Sequence, residues 1–312
     1  MSLRFHRSRP TVGLALGGGG MRGAAHIGVL KVLESERVPV DYIAGTSAGS
    51  IVAAMYACGY HAADLERMAV NLKSSDLFDS ALSLRRVLLM GLKVALDCLN
   101  LPSRWMPRPP MGLIRGRRLE QWVHRMTGGK TFNDTDIPLA IIAVDLDTGR
   151  EVVFGSGSAT AKLSRYYPTA LMAEDEPVSL AVRASSAIPV VFMPRRYAGM
   201  SLVDGAVINN VPADALKAWG ADVVIAVDLE FSNQRGTVID NVMEVVIQSL
   251  DIMGQEITNL KLAKYADVII RPGTYDAGLM DFHRIPELIQ GGERATLEVM
   301  PRIRQMVFGP GR

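Results

Sequence analysis

Residues 11–49 read TVGLALGGGGMRGAAHIGVLKVLESERVPVDYIAGTSAG, and this stretch decides the fold class. Thr11 to Leu16 is a short apolar run stopped by four glycines, which predicts a buried strand. Met21 to Arg37 repeats its apolar residues at helical spacing, so a helix is predicted to follow. Val40 to Ala44 is a second apolar run and predicts a second buried strand. The segment therefore has the strand, helix, strand order of a parallel α/β unit.

The same alternation continues along the chain. Pro138 to Leu146 and Glu151 to Gly155 predict two strands joined by a tight turn, Ala181 to Ala187 predicts a helix, and Ala221 to Leu229 predicts another apolar strand. Strands that are apolar on both faces require a sheet covered by helices on both sides. The residues alone thus predict an α/β sandwich.

Composition excludes several classes of protein. Of 312 residues, 48% are hydrophobic and 21% charged, which is typical of a folded globular chain. The net charge of +2 gives no overall attraction for nucleic acid, so none is expected as a partner. No apolar run reaches the roughly 18 residues of a spanning helix. With only two cysteines in the chain, a cytoplasmic location is expected.

Gly45-Thr46-Ser47-Ala48-Gly49 is a G-x-S-x-G motif between a predicted strand and a predicted helix over Ser50 to Tyr60. This context is typical of a serine nucleophile, which lies on a strained strand-to-helix turn. Glycines flank the serine because the turn leaves no room for Cβ atoms at Gly45 and Gly49. The helix N-terminus behind it favours developing negative charge. The alternative is a glycine-rich turn capped by Ser47.

Gly18-Gly19-Gly20-Met21-Arg22-Gly23 precedes the first predicted helix, and its N–H groups can form an anion-binding concavity. The segment also satisfies G-x-G-x-x-G, so a dinucleotide-binding oxidoreductase is an alternative. That fold needs an acidic residue at the end of the second strand, where this chain has Gly45 to Ser47. No lysine follows the glycines, which excludes a Walker A loop. An oxyanion hole facing Ser47 explains the loop better.

A serine nucleophile needs a base. Of five histidines, only His283 follows a suitable aspartate in the Ser, Asp, His order of α/β-hydrolases. No predicted strand ends before His283, which favours a solvated loop residue. Asp204 is placed better, because Ser201 to Val203 predicts a short strand that ends at it and Gly205 permits close approach of the backbone. A turn aspartate is the alternative, since Asp-Gly is a common turn pair.

Together these three sites resemble the patatin-like phospholipase family, whose members are related to α/β-hydrolases but use a Ser-Asp dyad. The family's G-G-G-x-[KR]-G loop, G-x-S-x-G elbow and D-G-[AG] aspartate occur here in order. The resemblance covers roughly Pro10 to Glu230, and less closely Asp281 to Gly291, and is strongest to compact bacterial members similar to the catalytic domain of neuropathy target esterase. Further matching blocks are Thr131-Phe132, Ile137-Pro138-Leu139, Thr148-Gly149-Arg150, Ala184 to Pro189 and Asn209-Asn210-Val211-Pro212.

The resemblance implies a three-layer α/β/α sandwich with a mainly parallel central sheet. It implies that Ser47 is the nucleophile, that Asp204 is its base, and that no metal or cofactor takes part. The expected reaction is hydrolysis of fatty-acyl esters of phospholipids or lysophospholipids through an acyl-enzyme. A non-catalytic lipid-sensing or partner-binding protein of the same fold is the alternative. The implied oxyanion hole consists of the N–H groups of Gly18, Gly19 and Gly20, braced by Arg22.

One segment departs from the α/β pattern. Cys98 to Leu119 has no acidic residue but five arginines among Trp, Met and four prolines. We predict that residues 74–119 form a lid or membrane-facing insertion within a single catalytic domain, 11–312, that follows a basic tail, 1–10. Residues 82–119 suit the surface of an anionic membrane, which places the protein peripherally on its inner face. A mobile solvated loop is the alternative. The arginines are Arg104, Arg108, Arg115, Arg117 and Arg118.

Overall fold

The computed structural model describes residues 9–79, 111–156, 163, 171–174, 176–229, 242–273 and 281–309. Most of the predicted tail and lid, residues 1–8 and 80–110, therefore lies outside the described residues. The strands are β1 (Val12–Leu16), β2 (Tyr42–Thr46), β3 (Gly112–Ile114), β4 (Leu139–Asp145), β5 (Arg150–Gly155), β6 (Leu171–Glu174), β7 (Val190–Phe192), β8 (Arg195–Tyr197), β9 (Met200–Asp204), β10 (Val223–Val227) and β11 (Val268–Ile270).

Helices connect these strands. The α-helices are α1 (Ala25–Ser35), α2 (Ala48–Ala57), α3 (Ala62–Val70), α4 (Ser74–Leu77), α5 (Arg117–Met126), α6 (Val178–Ser185), α7 (Ala213–Trp219), α8 (Val242–Tyr265) and α9 (Ile285–Phe308). Short 3₁₀ turns cover Gly20–Ala24, Phe132–Asp134, Gly205–Val207 and Phe282–Arg284.

The main sheet has the strand order β11-β10-β1-β2-β4-β5-β6, and β9 and β8 join it through β4. Neighbours along this order are parallel except β4 and β5, which form the predicted hairpin. Strand β9 runs antiparallel to β4 and to β8. The predicted mainly parallel sheet is confirmed. A separate pair, β3 and β7, is also parallel.

Both faces of the sheet are covered. On β1, Leu14 and Leu16 belong to the apolar core that contains residues of α1, α2 and α9. Ala15, between them, belongs to a second core with residues of α7 and α8. Alternate residues of one strand thus point into two helical layers. This arrangement confirms the predicted three-layer α/β/α sandwich.

Element boundaries differ where the glycine loop and the elbow impose their own geometry. The helix predicted over Met21 to Arg37 begins as the 3₁₀ turn Gly20–Ala24 and becomes α-helical only at Ala25. The helix predicted from Ser50 begins at Ala48, directly after Ser47. At the elbow only Ser47 separates β2 from the helix, whereas after β1 the glycine loop and the 3₁₀ turn delay the α-helix to Ala25.

The described flanks of the predicted lid pack into the core. Leu77 and Leu119 are 6% and 3% exposed. The Phe78 ring lies 5.9 Å from that of Phe192. The Arg183 guanidinium donates to the carbonyl oxygen of Arg115 at 2.7 Å. These flanks are therefore part of the domain wall. Within the described ranges, no helix combines the length and apolarity needed to cross a bilayer.

The C-terminal helix α9 packs on α1 through two glycines. A Cβ atom at Gly292 would lie 2.0 Å from the carbonyl oxygen of Ala25, and one at Gly28 would lie 1.9 Å from that of Ile289. Neither distance is compatible with a side chain, so the two backbones are in direct contact. The crossing requires glycine on both helices.

We predict that Gly292→Ala destabilises the protein although alanine favours a helix by up to about 1 kcal/mol over glycine. The added methyl group forces the helices apart, and overpacking of this kind costs about 1–3 kcal/mol. Gly254→Ala, within α8, is the matched control, because its Cβ would meet the nearest atom outside its own helix, the carbonyl oxygen of Ala206, at 3.4 Å. Thermal unfolding should show a lower Tm for Gly292→Ala and an equal or higher Tm for Gly254→Ala. Equal Tm values for the two variants would contradict the glycine crossing.

Candidate active site

The pairing of β4 places Ser47 and Asp204 together. On one edge of β4, Ile142 pairs with Thr46 at the end of β2. The next residue, Ala143, pairs with Asp204 at the end of β9. Strands β2 and β9 therefore approach the same point of β4 from opposite directions. Their last residues meet there although the sequence separates them widely.

Ser47 occupies a strained turn. Its backbone has φ 53° and ψ −123°, a conformation that non-glycine residues rarely adopt. The flanking glycines are required by space: a Cβ at Gly45 would lie 2.5 Å from the carbonyl oxygen of Gly49, and one at Gly49 would lie 2.2 Å from that of Leu16. The strand-to-helix geometry expected of a nucleophile elbow is present.

The Ser47 side chain lies against the candidate base. Ser47 and Asp204 are 5% and 2% exposed, and the Ser47 hydroxyl is close enough to the Asp204 carboxylate to lower its pKa. The Ser47 N–H donates to Oγ of Ser185 at 2.9 Å, which fixes the backbone of the turn. The site thus places a serine beside a carboxylate below the surface.

Burial raises the pKa of Asp204 to about 7. The hydrogen bonds from Ser47 and from the Ala206 N–H lower it, and the nearby charge of Asp251 raises it further. Removal from water disfavours the charged form, and this effect is the largest. A carboxylate with a pKa near neutrality accepts a proton far better than an ordinary one, so Asp204 can act as a general base.

Hydrogen bonds hold the glycine loop on both sides. The Gly17 N–H donates to the carbonyl oxygen of Val227 at 3.0 Å. The carbonyl oxygen of Gly17 accepts a hydrogen bond from Nε2 of His26 at 2.7 Å. Burial lowers the pKa of His26 to about 4, so the imidazole is neutral. Because the Gly17 carbonyl oxygen can only accept a hydrogen bond, the single proton of the ring is on Nε2. Arg22 Nε donates to the carbonyl oxygen of Gly19 at 3.1 Å.

The Gly18 N–H differs from the expectation. It donates to Oδ1 of Asn210 at 3.0 Å and to the Asn210 carbonyl oxygen at 3.3 Å. The Gly18 N–H is therefore engaged by Asn210, and the oxyanion role of Gly18 stays a prediction. The N–H groups of Gly19 and Gly20 have no acceptor among the described residues. Gly20 has φ 58°, which favours glycine there.

Two cavities meet at Ser47. One has a volume of about 330 Å³ and is lined almost wholly by apolar side chains from α1, α2, α3, α5 and β7. The other measures about 100 Å³ and includes Asn210, Asp251 and Gln255 among its lining residues. Gly20, Ser47 and Ile188 line both cavities. The serine hydroxyl is therefore placed where an apolar compartment joins a more polar one.

Sequence reasoning missed several residues of the site. Ser185 and Asn210 lay inside blocks that matched the family, but nothing in their types indicated their contacts. The wall formed by α8, with Asp251 and Gln255, carried no signal beyond that of an ordinary helix. His283 is exposed and lines neither cavity, in agreement with its prediction as a solvated residue.

Comparisons with known proteins agree with the motifs. A family model described as patatin-like phospholipase matches residues 14–217. Mouse patatin-like phospholipase domain-containing protein 6 is 32% identical over 219 residues, which are 70% of this chain and 13% of that protein. Lysophospholipase NTE1 of Pyricularia oryzae is 25% identical over 318 residues, covering 94% of this chain and 19% of that protein. The chain spans less than a fifth of either relative.

A solved structure also overlaps this fold. VipD from Legionella pneumophila matches with a TM-score of 0.47 and 13% sequence identity, over 95% of this chain and 67% of that one.

We predict that Asp204→Asn becomes more stable than the wild type as the pH rises. The folded pKa of about 7 lies above the ordinary value, so the stability that Asp204 contributes is present below about pH 4 and is lost as the pH rises through 7. Asparagine keeps the acceptor for Ala206 without the charge. The Tm of the variant minus that of the wild type should grow between about pH 5 and pH 8.

Asp134→Asn is the matched control for this measurement. Hydrogen bonds from Thr131 lower the pKa of Asp134, so its carboxylate is ionised throughout that pH range. Its Tm difference from the wild type should stay constant between about pH 5 and pH 8. A constant difference for Asp204→Asn as well would mean that Asp204 is already ionised at the lower pH.

Proposed function

The chain belongs to the patatin-like phospholipase family, and we propose that it is a serine lipid acyl hydrolase. The observation that carries this proposal is the meeting of Ser47 and Asp204 at one point of β4, where an apolar cavity also ends. A non-catalytic protein of the same fold has no use for a strained serine beside a buried carboxylate of raised pKa. The chemistry follows from these two residues and the glycine loop.

In the proposed reaction, Asp204 takes the proton from the Ser47 hydroxyl as its oxygen attacks the ester carbonyl. The N–H groups of Gly19 and Gly20 stabilise the oxyanion that forms. The C–O bond to the alcohol then breaks, and protonated Asp204 returns its proton to the departing oxygen. Water, deprotonated by Asp204, releases the fatty acid from the acyl-enzyme and restores Ser47.

The two cavities support a division of the substrate. The apolar cavity of about 330 Å³ would take the acyl chain, where each buried methylene contributes about 0.8 kcal/mol. The smaller cavity, about 100 Å³, would take the alcohol portion through its polar groups. We favour monoacyl esters of the lysophospholipid type as substrates, because a protein similar to this chain is named lysophospholipase NTE1.

We expect Ser47→Ala and Asp204→Asn each to reduce hydrolysis of a soluble acyl ester by several orders of magnitude, because the two groups act as a unit. In the wild type, kcat/KM should rise with pH through a midpoint of about 7, since only the ionised carboxylate of Asp204 accepts the proton. Initial rates across this range measure both effects.

His283→Ala is the control for the dyad, because His283 is exposed and away from both cavities. It should keep most of the activity. A Ser47→Ala variant with more than about a tenth of the wild-type rate would refute the nucleophile. A loss of roughly 100-fold in folded His283→Ala would instead indicate a Ser-Asp-His triad.

We also propose that residues 82–119 contact an anionic membrane at its inner face. Residues 82–110 lie outside the described ranges, but the end of the segment supports the proposal. Arg115, Arg117 and Arg118 are exposed there, beside Met111, which is 53% exposed. Leu113 is exposed and also lines the apolar cavity, so this surface lies close to the expected site of the acyl chain. Basic and apolar side chains together suit an anionic lipid surface.

Replacing Arg115 and Arg117 with glutamine should weaken binding to anionic vesicles by about 30-fold, since each basic residue near the surface contributes about 1 kcal/mol. The matched control replaces Arg294 and Arg302, two exposed arginines of α9, with glutamine. Vesicle co-sedimentation at low and high salt measures the effect, which should fade as salt screens the charges. Equal binding by both double variants would assign the arginines of the segment to solvent or to another protein.

A further inference from the structure

The loop that follows Asp204 carries two adjacent asparagines, Asn209 and Asn210, which contact all three catalytic segments. The reaction needs the elbow, the base and the glycine loop at fixed distances, yet they belong to chain segments far apart in sequence. Asn209 is 1% exposed, and Asn210 is half-buried and lines the smaller cavity. Their contacts indicate how the three segments are held together.

Asn209 joins the elbow to the loop of the base. Its N–H donates to the carbonyl oxygen of Gly205 at 2.8 Å, which closes the turn after Asp204. Its carbonyl oxygen accepts from Oγ1 of Thr46 at 2.9 Å, in the residue before Ser47. Both bonds use backbone atoms of Asn209, so the distance between the two segments depends on where this residue lies.

A buried polar cluster fixes Asn209. Its side-chain Nδ2 donates to Oδ1 of Asp214 at 2.9 Å. The other carboxylate oxygen of Asp214 lies 2.9 Å from Nζ of Lys261, which is also 3.1 Å from Oε1 of Glu151. Asp214 of α7, Lys261 of α8 and Glu151 of β5 thus form one network beside the Asn209 side chain. These bonds hold the Nδ2 side of the Asn209 amide, whereas its Oδ1 is buried and has no hydrogen-bond partner among the described residues. A buried polar network of this kind restrains the backbone that it holds.

Asn210 extends this arrangement to the glycine loop. Four successive glycines have no side chains to direct their peptides and can adopt many conformations, so hydrogen bonds must set the direction of the N–H groups. Within the described part of the chain, Asn210 supplies both acceptors of the Gly18 N–H. A Cβ at Gly18 would lie 2.7 Å from Asn210 Oδ1 and 2.9 Å from Ser47 Cβ, so the three residues are packed together.

We infer that Asn210 is a positioning residue that directs the N–H groups of Gly19 and Gly20 toward the oxyanion. This inference rests on the proposed hydrolase function. Asn210 acts through Gly18: it holds the Gly18 peptide at one end, while Arg22 holds the carbonyl oxygen of Gly19 at the other, so the segment that carries the Gly19 and Gly20 N–H groups is restrained from both ends. Losing the side-chain acceptor leaves the apolar cavity for the acyl chain unchanged, because Asn210 does not line it, but lets the donors drift, which weakens interactions made only in the transition state.

The test compares Asn210→Ala with the wild type on a medium-chain p-nitrophenyl ester. We expect kcat to fall by about 10- to 100-fold, since a small displacement of catalytic groups has effects of this size, with KM changed less than about threefold. An alkyl trifluoromethyl ketone forms a hemiketal whose oxygen occupies the oxyanion position. Its inhibition constant should rise in proportion to the loss in kcat/KM, which a general loss of stability would not produce.

Asn210→Asp provides the rescue, because it restores the acceptor for Gly18 in the same shape. Assayed at about pH 9, where Asp204 is ionised despite the added charge, it should recover most of the rate that alanine loses. It also serves if the alanine variant fails to fold. Asn71→Ala, an exposed asparagine on another surface, should behave as the wild type.

The outcomes separate the inference from the proposed function. An active wild type with an equally active Asn210→Ala, or a loss confined to KM, overturns the role of Asn210 alone. So does an Asn210→Asp variant no faster than Asn210→Ala at high pH. A wild-type chain that hydrolyses no ester and takes up no fluorophosphonate at Ser47 overturns the proposed function, and the role of Asn210 with it.

Discussion

The register of β4 is the constraint on which the site depends. Ile142 and Ala143 are adjacent residues, and they pair with Thr46 and Asp204. One residue of slip would turn the side chains of a strand to its other face and separate the serine from the carboxylate. Hydrophobic burial on both faces of the sheet opposes such a slip, since β2 and β4 each contribute residues to both cores. The packing of the whole sandwich is thus what sets the position of the dyad.

Placing the base inside the sheet has an electrostatic consequence. A carboxylate at the surface would remain ionised but would be too weak a base near neutral pH. Burial raises the pKa of Asp204 to about 7, and one hydrogen bond from Ala206 keeps the group oriented. The same environment supplies a short path for the proton, because the Ser47 hydroxyl is the partner of the carboxylate. Histidine is unnecessary when burial itself adjusts the base, and the buried histidine of this region, His26, instead supports the glycine loop.

The sequence permitted prediction of the sandwich, the elbow and the aspartate, because apolar periodicity and glycine spacing depend on neighbours along the chain. It did not reveal that the Gly18 N–H is engaged by Asn210, since that contact joins residues 192 positions apart. Nor did it show that α8 forms a wall of the site. The helix boundaries at Ala25 and Ala48 were misplaced because the glycine loop and the strained Ser47 set them, not helix propensity. Local patterns predicted the candidate catalytic residues, whereas the residues that hold them required the fold.

The contact between α1 and α9 also bears on the order in which the molecule is completed during synthesis. Helix α1 extends directly from the glycine loop, and its glycine, Gly28, is covered by a helix that begins at Ile285. Contacts of such long sequence separation form late, because the intervening chain must first be ordered. A ribosome-bound chain therefore exposes one face of α1 until the residues of α9 have been made. The glycine loop, although it precedes α1, reaches its final support only when α9 emerges.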